Sequence, residues 1–183
     1  HSLHAFVHML ELGGRSGGGS GLVDPSKDMV FGHEFCAELL DHGPGSEKRL
    51  KAGTRVVSMP VNPSAQGFEA IGYSNRFPGG FAEQMVLTEA MLLEVPNGLS
   101  DEQAAMTEPF AVGEHAVTQS AAGPDSAHMV IGCGPVGLAV IAALKARGLG
   151  PVVATDFSPA RRKVAEALGA DIVLDPAAEN PHA

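Results

Sequence analysis

The sequence predicts an α/β protein in two parts, a small β-rich domain followed by the opening portion of a doubly wound parallel α/β domain. Three observations carry this. Up to about residue 100, short apolar runs alternate with Gly- and Pro-rich turns. Beyond it, longer stretches of helical period alternate with short apolar runs. Within that second part, Val130-Ile131-Gly132-Cys133-Gly134-Pro135-Val136-Gly137-Leu138 is answered by Asp156 at the end of the next apolar run.

The elements follow in chain order. Gly13 to Gly21 holds six glycines and two serines among its nine residues and adjoins neither strand nor helix, so it is expected to be a flexible loop rather than a phosphate cradle. Strands are expected at Glu34 to Asp41, Arg55 to Met59, Phe81 to Leu87 and Met91 to Val95. Turn clusters such as Gly43-Pro44-Gly45 and Pro78-Gly79-Gly80 part them. A helical connector runs from Ser100, an N-cap with Gln103 at the capping-box position, to Ala122, and Pro109 kinks it or breaks it into two helices. A buried strand at His128 to Ile131 precedes a helix at Pro135 to Arg147, whose proline lies in the first turn, where its missing N–H costs nothing. Two further strands follow, Val152 to Thr155 and Asp171 to Leu174. Domains are therefore set at residues 1–122 and 123–183. A doubly wound domain normally needs about six parallel strands. This chain stops nine residues after its third candidate, and the sequence is expected to be an internal piece of a larger protein, cut at both ends.

At 183 residues, with 44% apolar and 18% charged residues, the chain has a core to bury. A formal charge of −9 argues against nucleic acid or an anionic membrane surface as the main partner, since either would repel it. The longest apolar stretch, around Val136 to Leu144, is too short to span a bilayer, and nothing at the start resembles a signal peptide. Cys36 and Cys133 lie far apart in apolar surroundings, which suits two buried thiols in a reducing compartment, hence a cytoplasmic location.

The glycine stretch has a physical reading. Gly132 permits a tight turn, Gly134 lets backbone N–H groups approach a pyrophosphate, and Gly137 lets the helix pack closely on the strand with its positive N-terminus aimed at the phosphates. Such spacing alone is weak. The strand before it, the helix after it and an acid about 20 residues on make it a dinucleotide-binding unit. Asp156 is expected to accept hydrogen bonds from the adenosine ribose hydroxyls and to repel a 2′-phosphate, favouring NAD over NADP, while Arg161 and Arg162 temper that preference.

Three features of the first part could carry chemistry. In Gly32-His33-Glu34 an imidazole and a carboxylate open a strand, where irregular backbone lets both approach one ion; a surface His beside a solvated Glu is the alternative. In Glu108-Pro109 a carboxylate lies near a helix N-terminus, either for a site or simply for capping. His1, His4 and His8 have helical spacing without a nearby carboxylate and are either surface histidines or a metal or proton-relay group. Cys36, three residues after His33, falls on the opposite strand face and reads as a core thiol, and His115 as a packing or cleft-lining residue.

In this order the elements resemble the medium-chain, zinc-dependent alcohol and polyol dehydrogenase family over nearly the whole chain. Ser2-Leu3-His4 is similar to the end of its Cys-Gly-x-Asp-x-His segment, Gly32-His33-Glu34 to its Gly-His-Glu motif and Arg55-Val56-Val57 to its Asp-Arg-Val strand. Gly79-Gly80-Phe81-Ala82-Glu83 is similar to its Gly-Gly-Phe/Tyr-Ala-Glu segment, Glu108-Pro109 to its Glu-Pro helix start, and Gly132 to Gly137 to its cofactor turn. The resemblance implies a GroES-like catalytic domain followed by the first half of a Rossmann domain. It implies that His33 binds a catalytic zinc, that Glu34 is the adjacent carboxylate, bound or exchanging with water, and that Glu108 stands where polyol and threonine dehydrogenases have a glutamate ligand. His4 matches the proton-relay histidine, and Gly132, Gly134, Pro135, Val136, Gly137, Asp156 and Arg161 match cofactor-binding positions.

The sequence also departs from the pattern. The family's first ligand, a cysteine, would fall two positions before His1; His1 stands where a relay Ser or Thr is usual, and Ser2 where an Asp commonly orients the ligand histidine. No cysteine lies between Met59 and Phe81, so no structural zinc is expected. The implied activity is hydride transfer between a secondary alcohol or polyol and NAD. It would use one catalytic zinc per subunit in the cleft between domains, with a homo-oligomeric parent and an inactive fragment. The alternatives are a zinc-free NAD(P)H reductase of the same family, which generally lacks Gly-His-Glu, and a non-catalytic NAD-binding or structural relative, suggested by Ser2 and the missing cysteine. A cysteine two positions before His1 would favour the zinc enzyme.

Overall fold

The structure, a computed structural model, describes residues 23–24, 26–65 and 67–179. The glycine-rich run Gly13 to Gly21 and His1, His4 and His8 lie outside the described residues. The chain divides into two compact units, one ending at Glu108 and one beginning at Pro109.

The first unit contains β1 (Ala37–Glu38), β2 (Arg55–Ser58), β3 (Val61–Ser64), β4 (Gly67–Ala70) and β5 (Leu92–Glu94). β1, β2 and β5 form an antiparallel sheet in that order, with Ala37 opposite Val56 and Val57 opposite Leu93. Val57, Val95 and Ala104 pack together beneath it, with Cys36 against them. β3 and β4 make a separate antiparallel hairpin, Val61 opposite Ala70. An isolated hairpin is marginal in water. This one is anchored by buried Asn62, whose side chain donates to the Val86 carbonyl at 2.7 Å and accepts from the Thr88 hydroxyl at 2.8 Å.

Two strand expectations are corrected. The run Glu34 to Asp41 forms strand only at Ala37–Glu38. Phe81 to Leu87 forms no strand: Phe81 is 81% and Val86 67% exposed, so the apolar run has no buried face. The Gly79, Gly80 and Phe81 N–H groups instead donate to the Val30, Gly32 and Phe31 carbonyls.

The connector is two helices, α1 (Asp101–Ala105) and α2 (Thr107–Gln119). Ser100 and Gln103 form the reciprocal capping box. The break falls at Met106 rather than at Pro109, because Pro109 lies in the first turn of α2, where no intrahelical N–H is needed.

The second unit continues with β6 (His128–Ile131), α3 (Pro135–Ala146), β7 (Val152–Thr155), α4 (Pro159–Ala167) and β8 (Ile172–Leu174). The three strands are parallel in the order β6-β7-β8, with Val130 opposite Ala154 and Ala154 opposite Val173. Ile141, Val152 and Ala154 are fully buried in its core with Val117 from α2. Each such buried aliphatic side chain of Val or Ile size contributes about 1.5–3 kcal/mol. At Gly113 a Cβ would stand 2.7 Å from the Ala139 backbone, so α2 lies directly on α3 there. Among the described residues no helix is long and apolar enough to cross a membrane.

Candidate metal centre and cofactor turn

The segment that presents His33 is fixed by backbone packed on backbone. Gly32 has φ +104°, and a Cβ there would stand 2.9 Å from the Gly80 nitrogen. A Cβ on Gly72 would stand 2.6 Å from the Gly32 carbonyl oxygen, and one on Gly79 would collide with the same atom. Hydrogen bonds close the contact, from Gly79 N–H to Val30 and from Gly80 N–H to Gly32, both at 2.8 Å. Only residues without side chains at 32, 72 and 79 allow three pieces of chain to approach so closely.

At this clamp His33 and Glu34 meet Glu108, which stands in the first turn of α2 just before buried Pro109. The three residues each offer one ligating atom, and these atoms lie within 4.8 Å of one another. His33 Nε2 is 3.9 Å from Glu108 Oε2, with the two side chains 22% and 23% exposed. His33 is thus no surface histidine, whereas Glu34 is exposed. Burial raises the Glu108 carboxyl above its ordinary value, His33 pulls it down, and the charge of Glu34 raises it further. Among the described residues neither carboxylate has a Lys or Arg within ion-pair distance. One imidazole and two uncompensated carboxylates suit a divalent cation such as zinc, whose bonds of about 2 Å bring donor atoms to within roughly 4 Å of one another. The helix N-terminus adds to the stabilisation of ionised Glu108, so capping and ligation are compatible.

The other candidates sit elsewhere. His115 is exposed and outside the group, and His4 lies outside the described residues. Cys36 is only partly buried, its thiol 3.7 Å from Asp101 Oδ1, which also accepts from Arg55 at 2.6 Å. Burial, then the Asp101 charge, pushes that thiol up. Tyr73, whose ring lies 5.2 Å from that of His33, carries no mark of this contact in the sequence. Aromatic contact between residues so far apart leaves no trace in spacing or period.

In the glycine stretch, Gly132 takes φ +91°, and Gly134 is the N-cap of α3 with open space where a Cβ would be. A Cβ on Gly137 would strike the Gly132 carbonyl oxygen, so α3 comes down directly on the turn. Pro135 and Val136, both exposed, open the helix, leaving its N-terminus accessible to an anion. Asp156 is 9% exposed and already engaged: its carboxylate accepts from Ser158 N–H at 2.7 Å and Cys133 N–H at 2.9 Å, which hold its pKa below the ordinary value. Arg161 lies 3.7 Å from it and is 58% exposed, while Arg162 is committed to the Asp156 carbonyl and to Asp175.

Comparison with known proteins agrees with this layout. Residues 8–97 match the family model described as the alcohol dehydrogenase GroES-like domain, and residues 135–183 match that described as zinc-binding dehydrogenase. The chain is similar to (R,R)-butanediol dehydrogenase of Bacillus subtilis (strain 168), 39% identical over 163 residues that cover 85% of the chain and 46% of that protein. It is similar to sorbitol dehydrogenase of the same organism, 33% identical over 162 residues covering 81% and 45%. The crystal structure of 2R,3R-butanediol dehydrogenase from Bacillus subtilis aligns with a TM-score of 0.73 at 36% identity, over 89% of this chain and 51% of that one. The chain spans about half the length of the curated relatives it matches.

Proposed function

The chain belongs to the medium-chain, zinc-dependent alcohol and polyol dehydrogenase family, and from that premise we propose that the whole protein transfers a hydride between a secondary alcohol or polyol and NAD. The observation that carries this is the convergence of His33, Glu34 and Glu108 in a chain that also holds a glycine turn capped by an acid. His33 and Glu108 would hold the zinc, with Glu34 beside them, bound or exchanging with water. When bound, zinc would supply Lewis acidity toward the alcohol oxygen and the nicotinamide cofactor a hydride acceptor.

The chain's own residues do the rest. Gly132, Gly134, Pro135, Val136 and Gly137 form the turn and helix start against which the pyrophosphate would lie. Asp156 would orient the ribose and disfavour a 2′-phosphate, with Arg161 the neighbouring side chain left available to the cofactor, so NAD is preferred to NADP. His4 would take up the alcohol proton, a task suited to an imidazole near neutral pH. The group at His33 supports one catalytic zinc per subunit, and the absence of cysteine from Met59 to Phe81 supports no structural zinc. Two free thiols support a reducing, cytoplasmic setting, and the parent would be a homo-oligomer acting on small molecules rather than on nucleic acid or membrane.

Steady-state assays of the whole protein against a panel of diols and polyols test the proposal. His33→Ala and Glu108→Ala should reduce NAD-linked oxidation to background while NAD affinity stays near wild type. Full activity in either variant would refute it.

A further inference from the structure

We infer that Tyr73 is a positioning residue for His33, its ring holding the imidazole with Nε2 turned toward Glu108; this rests on the metal reading proposed above. The Tyr73 ring contacts two side chains of the 31–33 segment. Its centroid is 5.2 Å from that of His33 at a tilt of 43°, and 6.4 Å from that of Phe31 at 79°, an edge-on contact. Aromatic pairs favour tilted and edge-to-face arrangements at these separations.

The backbone makes this arrangement stiff. Gly72, immediately before Tyr73, lies on the Gly32 carbonyl so tightly that no side chain fits, and its N–H donates to the Phe77 carbonyl at 3.2 Å. The ring therefore rests on a loop pinned to the very segment that carries His33. A ligating imidazole gains affinity when a neighbour fixes its orientation before the metal arrives, because less side-chain freedom is then lost on binding. Phe31 touches Tyr73 in turn.

The test is titration of Co2+ into the metal-stripped whole protein, following both affinity and the ligand-field absorption bands, which report ligand orientation. Tyr73→Phe, which keeps the ring and removes the hydroxyl, should bind within about twofold of wild type with the same spectrum. Tyr73→Leu should bind about fivefold more weakly, the equivalent of one ring contact, with shifted bands. Phe31→Leu should show a smaller loss of the same kind, and it decides the matter if Tyr73→Leu does not fold. Wild-type affinity and spectrum in Tyr73→Leu, or in Phe31→Leu when it alone folds, would overturn the inference, as would a Tyr73→Phe defect equal to that of Tyr73→Leu. A wild-type protein that binds no Co2+, or binding indifferent to His33→Ala and Glu108→Gln, would overturn the underlying metal reading instead.

Discussion

Burial and a second carboxylate both oppose ionisation of Glu108, while His33 and the N-terminus of α2 favour it. That conflict has a measurable consequence. Without metal, Glu108→Gln should raise the melting temperature at neutral pH, because it removes a strained charge; with zinc present, the same change should lower it, because a ligand is lost. Thermal unfolding with and without a chelator reads both signs. Asp156 has the opposite bias. Its pKa is held down by the Ser158 and Cys133 N–H groups, so its contribution is fully present above the ordinary value of 3.8 and fades as pH falls through the depressed one. Asp156→Asn should cost about 1–2 kcal/mol near neutrality, and denaturant titrations should show the difference shrinking only in strong acid.

The elements that were legible in the sequence are those whose causes are local. The strand–turn–helix–strand series from His128 to Thr155 lies where the glycine spacing and apolar runs place it, since Gly137 must meet the Gly132 carbonyl and Pro135 must open a helix. The capping box at Ser100 is equally local. Phe81 to Leu87 reads as a strand because it is a short apolar run after a Gly- and Pro-rich turn, yet Phe81 and Val86 face solvent. The hairpin at Val61–Ser64 and Gly67–Ala70 was hidden by Pro63 and Gly67, and depends on Asn62 reaching Val86 and Thr88. Long-range anchors of this kind have no period. Gly137→Ala should therefore lower the stability of the second unit, whereas Gly134→Ala, whose added methyl meets no protein atom within 4 Å, should leave stability near wild type. Thermal unfolding of the two variants without cofactor would reveal the order, and equal losses would mean that helix packing does not set the turn.

Across the whole molecule, the resemblance of ordered motifs anticipated which residues would gather at one point, but not how they are held. His33 and Glu108 came from the motifs; the glycine clamp at 32, 72 and 79 and the ring of Tyr73 came from the fold. Cofactor choice depends on this larger frame. On the proposed reading, Asp156→Ser should narrow the preference for NAD over NADP and also weaken NAD itself, since the carboxylate holds Cys133 in the turn and is the proposed ribose contact. Kinetics with both cofactors separate the two effects, and a wild-type preference for NADP would show that Arg161 outweighs the carboxylate.

The central claim is a single zinc held by His33 and Glu108, and elemental analysis of the purified whole protein and its variants tests it most directly. One zinc per subunit in the wild type, falling to near zero in His33→Ala and Glu108→Ala with NAD affinity preserved, is the result this account predicts. Zinc absent from the wild type, or retained at full stoichiometry in both variants, would contradict it.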